Sequence, residues 1–129
     1  MIQLRTLGQI DLRNAQGEQI TSVLLHPKRF ALLVYLATAR PSGFHRRDSL
    51  LALFWPELDD ERARAALRKT VFHLRRSLGE NVVLSRGDDE VGLDFAALSV
   101  DALIVNEAVQ RRDMRTVVDM YSGHFLDGF

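Results

Sequence analysis

Apolar and polar positions alternate at the start of the chain and then change period. Ile2, Leu4 and Leu7 precede Gly8, and Ile10 and Leu12 alternate with polar residues before a turn region at 14–17. Ile20 and then Val23–Leu25 suggest a further strand. Alternation of period two with turn residues between is the signal of a hairpin or meander. It predicts a small N-terminal antiparallel β-sheet with one face on a core.

From Pro27 the spacing becomes helical. Proline suits a first helical position, where its missing N–H has no partner in any case. Residues 28–40 carry Phe30, Leu32, Leu33, Val34, Leu36 and Ala37, apolar on most faces, which predicts a central core helix. Pro41, Ser42 and Gly43 stop it. A second helix is expected over 46–54, with Leu50, Leu51 and Phe54 at helical spacing and Trp55-Pro56 ending it. Trp55 is expected as a buried plug over the angle between helices.

A third helix starts near Asp59 or Asp60, either of which can cap it, and runs to about Leu78 before the terminator Gly79. Then come a strand over 82–86, a tight turn Gly87-Asp88-Asp89, and a return strand over 90–94. Residues 100–111 and 114–121 read as two further helices.

The third helix is two-faced. With Leu67 at zero and about 100° per residue, Leu67, Val71, Leu74 and Leu78 cluster on one side with Ala63. Opposite lie Ala65, Lys69, Phe72 and Arg76, flanked by Arg62, His73 and Arg68, with Arg64 and Arg75 nearer the apolar edge. The outer face is therefore basic and also carries a phenylalanine.

Composition sharpens this picture at three points. The 129 residues include no cysteine, which excludes a disulfide framework and thiolate zinc sites and fits a reducing compartment. The N-terminus carries charges inside its apolar pattern, unlike a signal peptide, and the longest apolar run, FALLVYLATA, is too short to span a bilayer. A cytoplasmic protein with no membrane partner is expected. The formal net charge of zero hides an asymmetry: residues 26–87 carry twelve basic and six acidic groups, and residues 88–129 carry three basic and nine acidic. A basic segment of this kind points to a polyanion partner.

The order of helix, turn, helix, long basic helix and hairpin predicts an α+β fold of winged helix-turn-helix type, with the hairpin as wing and a short C-terminal helical extension. The third helix would then enter the major groove of duplex DNA and read base edges. Arg62, Ala65, Arg68, Lys69, Phe72 and His73 are the candidates for base contact. Arginine and lysine bond guanine O6 and N7, phenylalanine meets a thymine methyl, and a small Ala65 permits close approach. Arg46, Arg47, Lys69, Arg75, Arg76 and Arg86 are the candidates for phosphate contact.

An N-terminal strand set closing with PKRFALLVYLA, followed by HRRDSLLALFWPELDDERARAALRKTVFHLRRSLG and a hairpin, resembles the DNA-binding domain of the antibiotic regulatory protein (SARP) family. The combination LFWP, ERARAALR and LRRSLG carries the resemblance, which covers residues 1–98. VDALIVNEAVQRRD and YSGHFLDGF are similar to the start of the helical bacterial transcriptional activation domain, which follows in that family. The resemblance implies an OmpR-type winged helix over 1–98 and the truncated beginning of an activation domain over 99–129. It also implies a transcriptional activator that binds direct-repeat DNA as a homodimer and recruits RNA polymerase.

The alternative is a winged-helix protein-interaction module whose basic face meets an acidic protein. Catalysis is not expected. His26, His45, His73 and His124 show no metal-ligand spacing, no Gly-rich phosphate loop is present, and Asp59, Asp60 and Glu61 read as a helix start. No cofactor or metal is called for.

Overall fold

The computed structural model describes residues 1–39 and 43–104, so the helices expected over 100–111 and 114–121 lie outside the described residues from 105 onward. The element order is β1 (Ile2–Arg5), β2 (Asp11–Arg13), α1 (Thr21–Leu24), α2 (Pro27–Thr38), β3 (His45–Arg46), α3 (Arg47–Phe54), α4 (Asp60–Leu78), β4 (Val83–Arg86), β5 (Glu90–Leu93) and β6 (Leu98–Val100). The fold is mixed α+β with two small open sheets. The chain divides into two compact units: residues 21–95, and residues 1–20 joined by the chain from 96 onward.

The unit of residues 21–95 is built on its helices. Helix α2 begins at Pro27 after an extended His26 and buries Phe30, Leu32, Leu33, Val34, Leu36 and Ala37, the near-continuous apolar set of its sequence. Helix α3 buries Leu50 and Leu51 and ends where Trp55 N–H donates to the Leu51 carbonyl. Trp55 is only 7% exposed, so it does fill the interior after α3. The Lys28 ammonium lies 5.3 Å from the centre of its ring and donates to the Phe54 carbonyl, fastening the end of α3 to the start of α2.

The sheet of this unit has the order β3-β5-β4, antiparallel throughout. Strand β3 has only two residues, and its pairing with β5 continues into α3, where Arg47 N–H donates to the Asp89 carbonyl at 2.7 Å. The second helix was expected from residue 46; Arg46 instead stands in the sheet and the helix starts at Arg47.

The strand expected around Val23–Leu25 is corrected: Thr21–Leu24 form the short helix α1. Val23 is fully buried while Leu25 is 75% exposed, a spacing that a single helical turn produces and a half-buried strand does not. The Leu25 and His26 N–H groups close this turn onto the Thr21 and Val23 carbonyls, leaving His26 extended as Pro27 requires.

In the other unit, β1 pairs antiparallel with β2 and parallel with β6, in the order β2-β1-β6. The expectation of a wholly antiparallel N-terminal sheet is therefore corrected to a mixed one. Leu98-Ser99-Val100 matches the apolar–polar–apolar pleat of β1, and parallel neighbours need a long connection, which residues 21–95 supply. Leu4 sits opposite both Leu12 and Val100, and all three are buried.

Asp101, directly after β6, ties the unit together. Its buried carboxylate accepts from Thr6 N–H (2.8 Å), Thr6 Oγ1 (3.0 Å), Leu7 N–H (3.0 Å) and Ala102 N–H (2.7 Å). A buried carboxylate is tolerable when donors saturate it in this way. Asp101→Ala strands those donors and is expected to cost about 2–4 kcal/mol, since each orphaned buried donor costs about 1–3 kcal/mol and part of the loss is recovered by water. Urea unfolding of the two chains measures it, with Asp101→Asn falling between them.

Candidate nucleic-acid interface

Helix α4 is fixed at both ends by its own sequence. The Asp59 carboxylate accepts from Arg62 N–H at 2.8 Å, satisfying one of the free donors of the first turn. Asp60 and Glu61 lie in that turn and Arg75 and Arg76 in the last, each sign at the end of the helix dipole that favours it. Gly79 ends the helix with φ 113°, a conformation that any side chain would strain.

Burial sets the rotation of α4. Ala63, Leu67, Thr70, Val71, Leu74 and Leu78 are buried, which is the apolar stripe expected from the sequence with Thr70 added. Thr70 fits because its hydroxyl donates to the Ala66 carbonyl at 2.8 Å. Arg62, Arg64, Ala65, Arg68, Lys69, Phe72 and Arg76 are exposed on the remaining face, with His73 and Arg75 half-buried at its edges. Phe72 is 56% exposed and touches His73 edge-on at 5.5 Å between ring centres.

The exposed face has two flanks. On one, Arg68, Phe72, Arg75 and Arg76 of α4 and Arg47 of α3 line an open cleft of about 490 Å³ with Val71 and Glu80. Burial first, then the Arg75 and Arg68 cations, work against the charge of Arg47 and lower its pKa, against the weaker pull of Asp88 and Asp89. Arg75 is anchored in β4: its Nε donates to the Val83 carbonyl at 3.0 Å and its Nη2 to Ser85 Oγ at 2.8 Å. A neighbouring cleft of about 510 Å³ shares Arg47 and Arg68 and is lined also by Arg64, Ser85, Asp48, Asp88 and Asp89.

On the other flank, partial burial and then the neighbouring Arg29, Lys69, His26 and Arg76 hold the His73 imidazole below its ordinary pKa. Here α2 contributes Arg29, whose guanidinium also donates to the Ser22 carbonyl at 3.0 Å. Ser22 and Ser77 hydroxyls meet at 2.7 Å and join α1 to α4.

Arg86 has a different environment. Arg86 and Glu90 are paired across the hairpin, and the guanidinium donates from Nε (2.8 Å) and Nη2 (2.9 Å) to both carboxylate oxygens. Its carbon lies 4.6 Å from the centre of the Phe44 ring. That ring rests on Gly92, where an added Cβ would come within 3.0 Å of it and within 3.2 Å of the Gly43 carbonyl. Arg46 is exposed in β3.

The structure thus brings Arg47, Arg68, Phe72, Arg75 and Arg76 to one cleft, and Lys69 and His73 to the opposite flank. Arg62 remains near its cap partner Asp59 at 3.8 Å. Sequence reasoning missed Ser85, Arg29, Phe44 and the engagement of Arg86 by Glu90. Opposite charges across the turn of RGDDE were the signal for the last; the others depend on contacts between residues distant in the chain. Among the described residues no helix is long and apolar enough to cross a membrane, and no group of three histidines or carboxylates is placed to hold a metal ion. Comparison with models of known families, with curated proteins and with solved structures finds no match.

Two outcomes follow from this geometry. Asp59→Ala is expected to destabilise the chain by about 1 kcal/mol, the ordinary worth of a side-chain helix cap, with Asp59→Asn near the parent in urea unfolding. The hydrogen bonds from Arg86 hold the Glu90 carboxyl below its usual range. The pair's contribution to stability is therefore present above the ordinary glutamate pKa and is lost as pH falls through the lowered one. Arg86→Ala should return the Glu90 titration, followed by carboxyl carbon shifts in NMR, upward toward the usual glutamate value.

Proposed function

We propose that the chain is a sequence-specific reader of double-stranded DNA and acts in transcription regulation, with α4 lying in the major groove. The observation that carries this reading is the exposed face of α4. It joins Arg62, Arg64, Arg68, Lys69 and Arg76 to an exposed Phe72 on a helix whose opposite face is fully committed to burial. Cations supply the attraction to phosphate and the hydrogen bonds to guanine, and an aromatic side chain between them supplies apolar contact to a thymine methyl.

The arrangement of α2, α3 and α4 followed by the β4–β5 hairpin, with β3 laid against β5, supports a winged helix-turn-helix of the OmpR type for residues 21–95. In that reading Ala65, Arg68, Lys69 and Phe72 face the groove floor, and Arg46, Arg47 and Arg76 meet the flanking backbones. Arg86 stays with Glu90, and the turn residues Asp88 and Asp89 keep the wing tip from deep entry into a groove. The sequence resemblance to the SARP family extends the proposal to an activator that pairs on direct repeats and engages RNA polymerase.

Selection from random duplex DNA tests the reading. Enrichment of two direct half-sites about one helical turn apart is expected. Failure to enrich any sequence with the folded chain would overturn it and favour an acidic protein partner for the same face. On the enriched site, four to six phosphate contacts at about 0.9 each give a log–log salt slope between about −3.5 and −5.5. A slope shallower than about −2 is incompatible with the docking described.

A further inference from the structure

We propose that the cleft along α4 beside Arg47 of α3 is a preformed seat for one backbone phosphodiester, assembled by Arg47, Arg68 and Arg75 and held in shape by Ser85 of the adjoining hairpin. The proposal rests on the DNA-binding reading and deepens it, because it moves Arg68 from base contact to phosphate contact and gives Ser85 a role. Ser85 Oγ accepts from Arg75 Nη2 at 2.8 Å and from Arg47 Nη2 at 3.4 Å. One hydroxyl therefore gathers two like-charged guanidinium groups whose residues lie 28 positions apart in the chain.

The repulsion is only partly offset within the protein, by the weaker pull of Asp88 and Asp89. Arg75 and Arg68 both act against the charge of Arg47, which is also partly withdrawn from water. Among the described residues, ion pairs within 4.0 Å engage Asp11, Glu57, Asp59 and Glu90, and none of these carboxylates serves Arg47, Arg68, Arg75 or Arg76. The cleft has four arginines and the single acid Glu80, whereas Asp48, Asp88 and Asp89 line its neighbour. An anion is thus favoured on the α4 side of Arg47 and disfavoured toward the wing tip. The opening of about 490 Å³ is wide enough for a phosphate with its sugar flanks, and Phe72 and Val71 form an apolar wall beside it.

The chemistry suits a phosphate oxyanion. Guanidinium groups present parallel N–H pairs that match two phosphate oxygens, and their charge is weakly hydrated compared with an ammonium. Arg75 has Nε and one Nη committed to β4, so it contributes its field and its remaining donors. Arg47 and Arg68 supply the primary contacts, and Ser85 is a positioning residue.

Methylphosphonate scanning of the enriched DNA site tests the seat, neutralising one phosphate at a time. The parent chain should lose about 10- to 100-fold in affinity at one phosphate of each half-site, the range for a hydrogen-bonded charge. Arg47→Gln should bind more weakly and be indifferent to neutralisation at that phosphate while keeping the parent's pattern elsewhere. Ser85→Ala should show a reduced effect at the same position, and Ser85→Thr, which keeps the hydroxyl, should restore it. Interference in Arg47→Gln that matches the parent at every phosphate overturns the seat. If Arg47→Gln does not fold, Ser85→Ala decides, and an unchanged pattern there overturns the proposal. A parent chain insensitive at every phosphate overturns the DNA-binding reading itself.

Discussion

The burial of one stripe of α4 governs everything that its other face can do. Six positions from Ala63 to Leu78 are buried at helical spacing, and this fixes the helix about its own axis. A 100° rotation would bury Arg68 or expose Leu67, and either change costs several times the strength of a surface contact. The caps at Asp59 and Gly79 fix its length in the same way. The exposed face is consequently a rigid template, and its arginines vary in setting only as far as their side chains bend.

Around that template the protein leaves like charges together instead of neutralising them. Pairs elsewhere are matched, as Arg13 with Asp11, Lys28 with Glu57 and Arg86 with Glu90. The cluster of Arg47, Arg68, Arg75 and Arg76 is not, although Asp48, Asp88 and Asp89 stand one cleft away. Unmatched like charge lowers the stability of the free chain, and its field would favour an anion at this face. Glu90 has the opposite effect at the hairpin. It keeps Arg86 on the protein and places the positive field at α4 instead of at the hairpin tip.

Local signals made α4 legible in the sequence: a capping aspartate, a terminating glycine and an apolar period sustained over five turns. The hairpin was equally plain, since Gly87-Asp88-Asp89 announces its turn and Val83–Arg86 and Glu90–Leu93 flank it. What escaped were features decided by distant partners. Strand β3 is His45–Arg46, a polar pair with no strand pattern of its own, and exists because β5 lies beside it. Strand β6 was not foreseen, its last residue Val100 having been read as the start of a helix, and its parallel match to β1 joins residues nearly a hundred positions apart. Val23–Leu25 is ambiguous by period alone, and the helix α1 forms because only Val23 of the three is wholly buried. The basic face of the site was legible as a wheel of residues, whereas the gathering of Arg47 and Arg75 at Ser85 was not, because nothing in VLSR foretells which side chains will converge on its serine.

The parallel pairing of β1 with β6 also has a meaning in time. Strand β1 precedes the 21–95 unit in the chain, yet its neighbour β6 and the carboxylate of Asp101 that binds Thr6 follow that unit. Every residue of the 21–95 unit, α4 included, leaves the ribosome before that sheet can close. The helical unit is thus a continuous stretch of chain able to collect its own core during translation, while the N-terminal segment waits with Leu4 lacking one of its two strand partners. A strand that precedes the 21–95 unit in the chain is completed only by one that follows it.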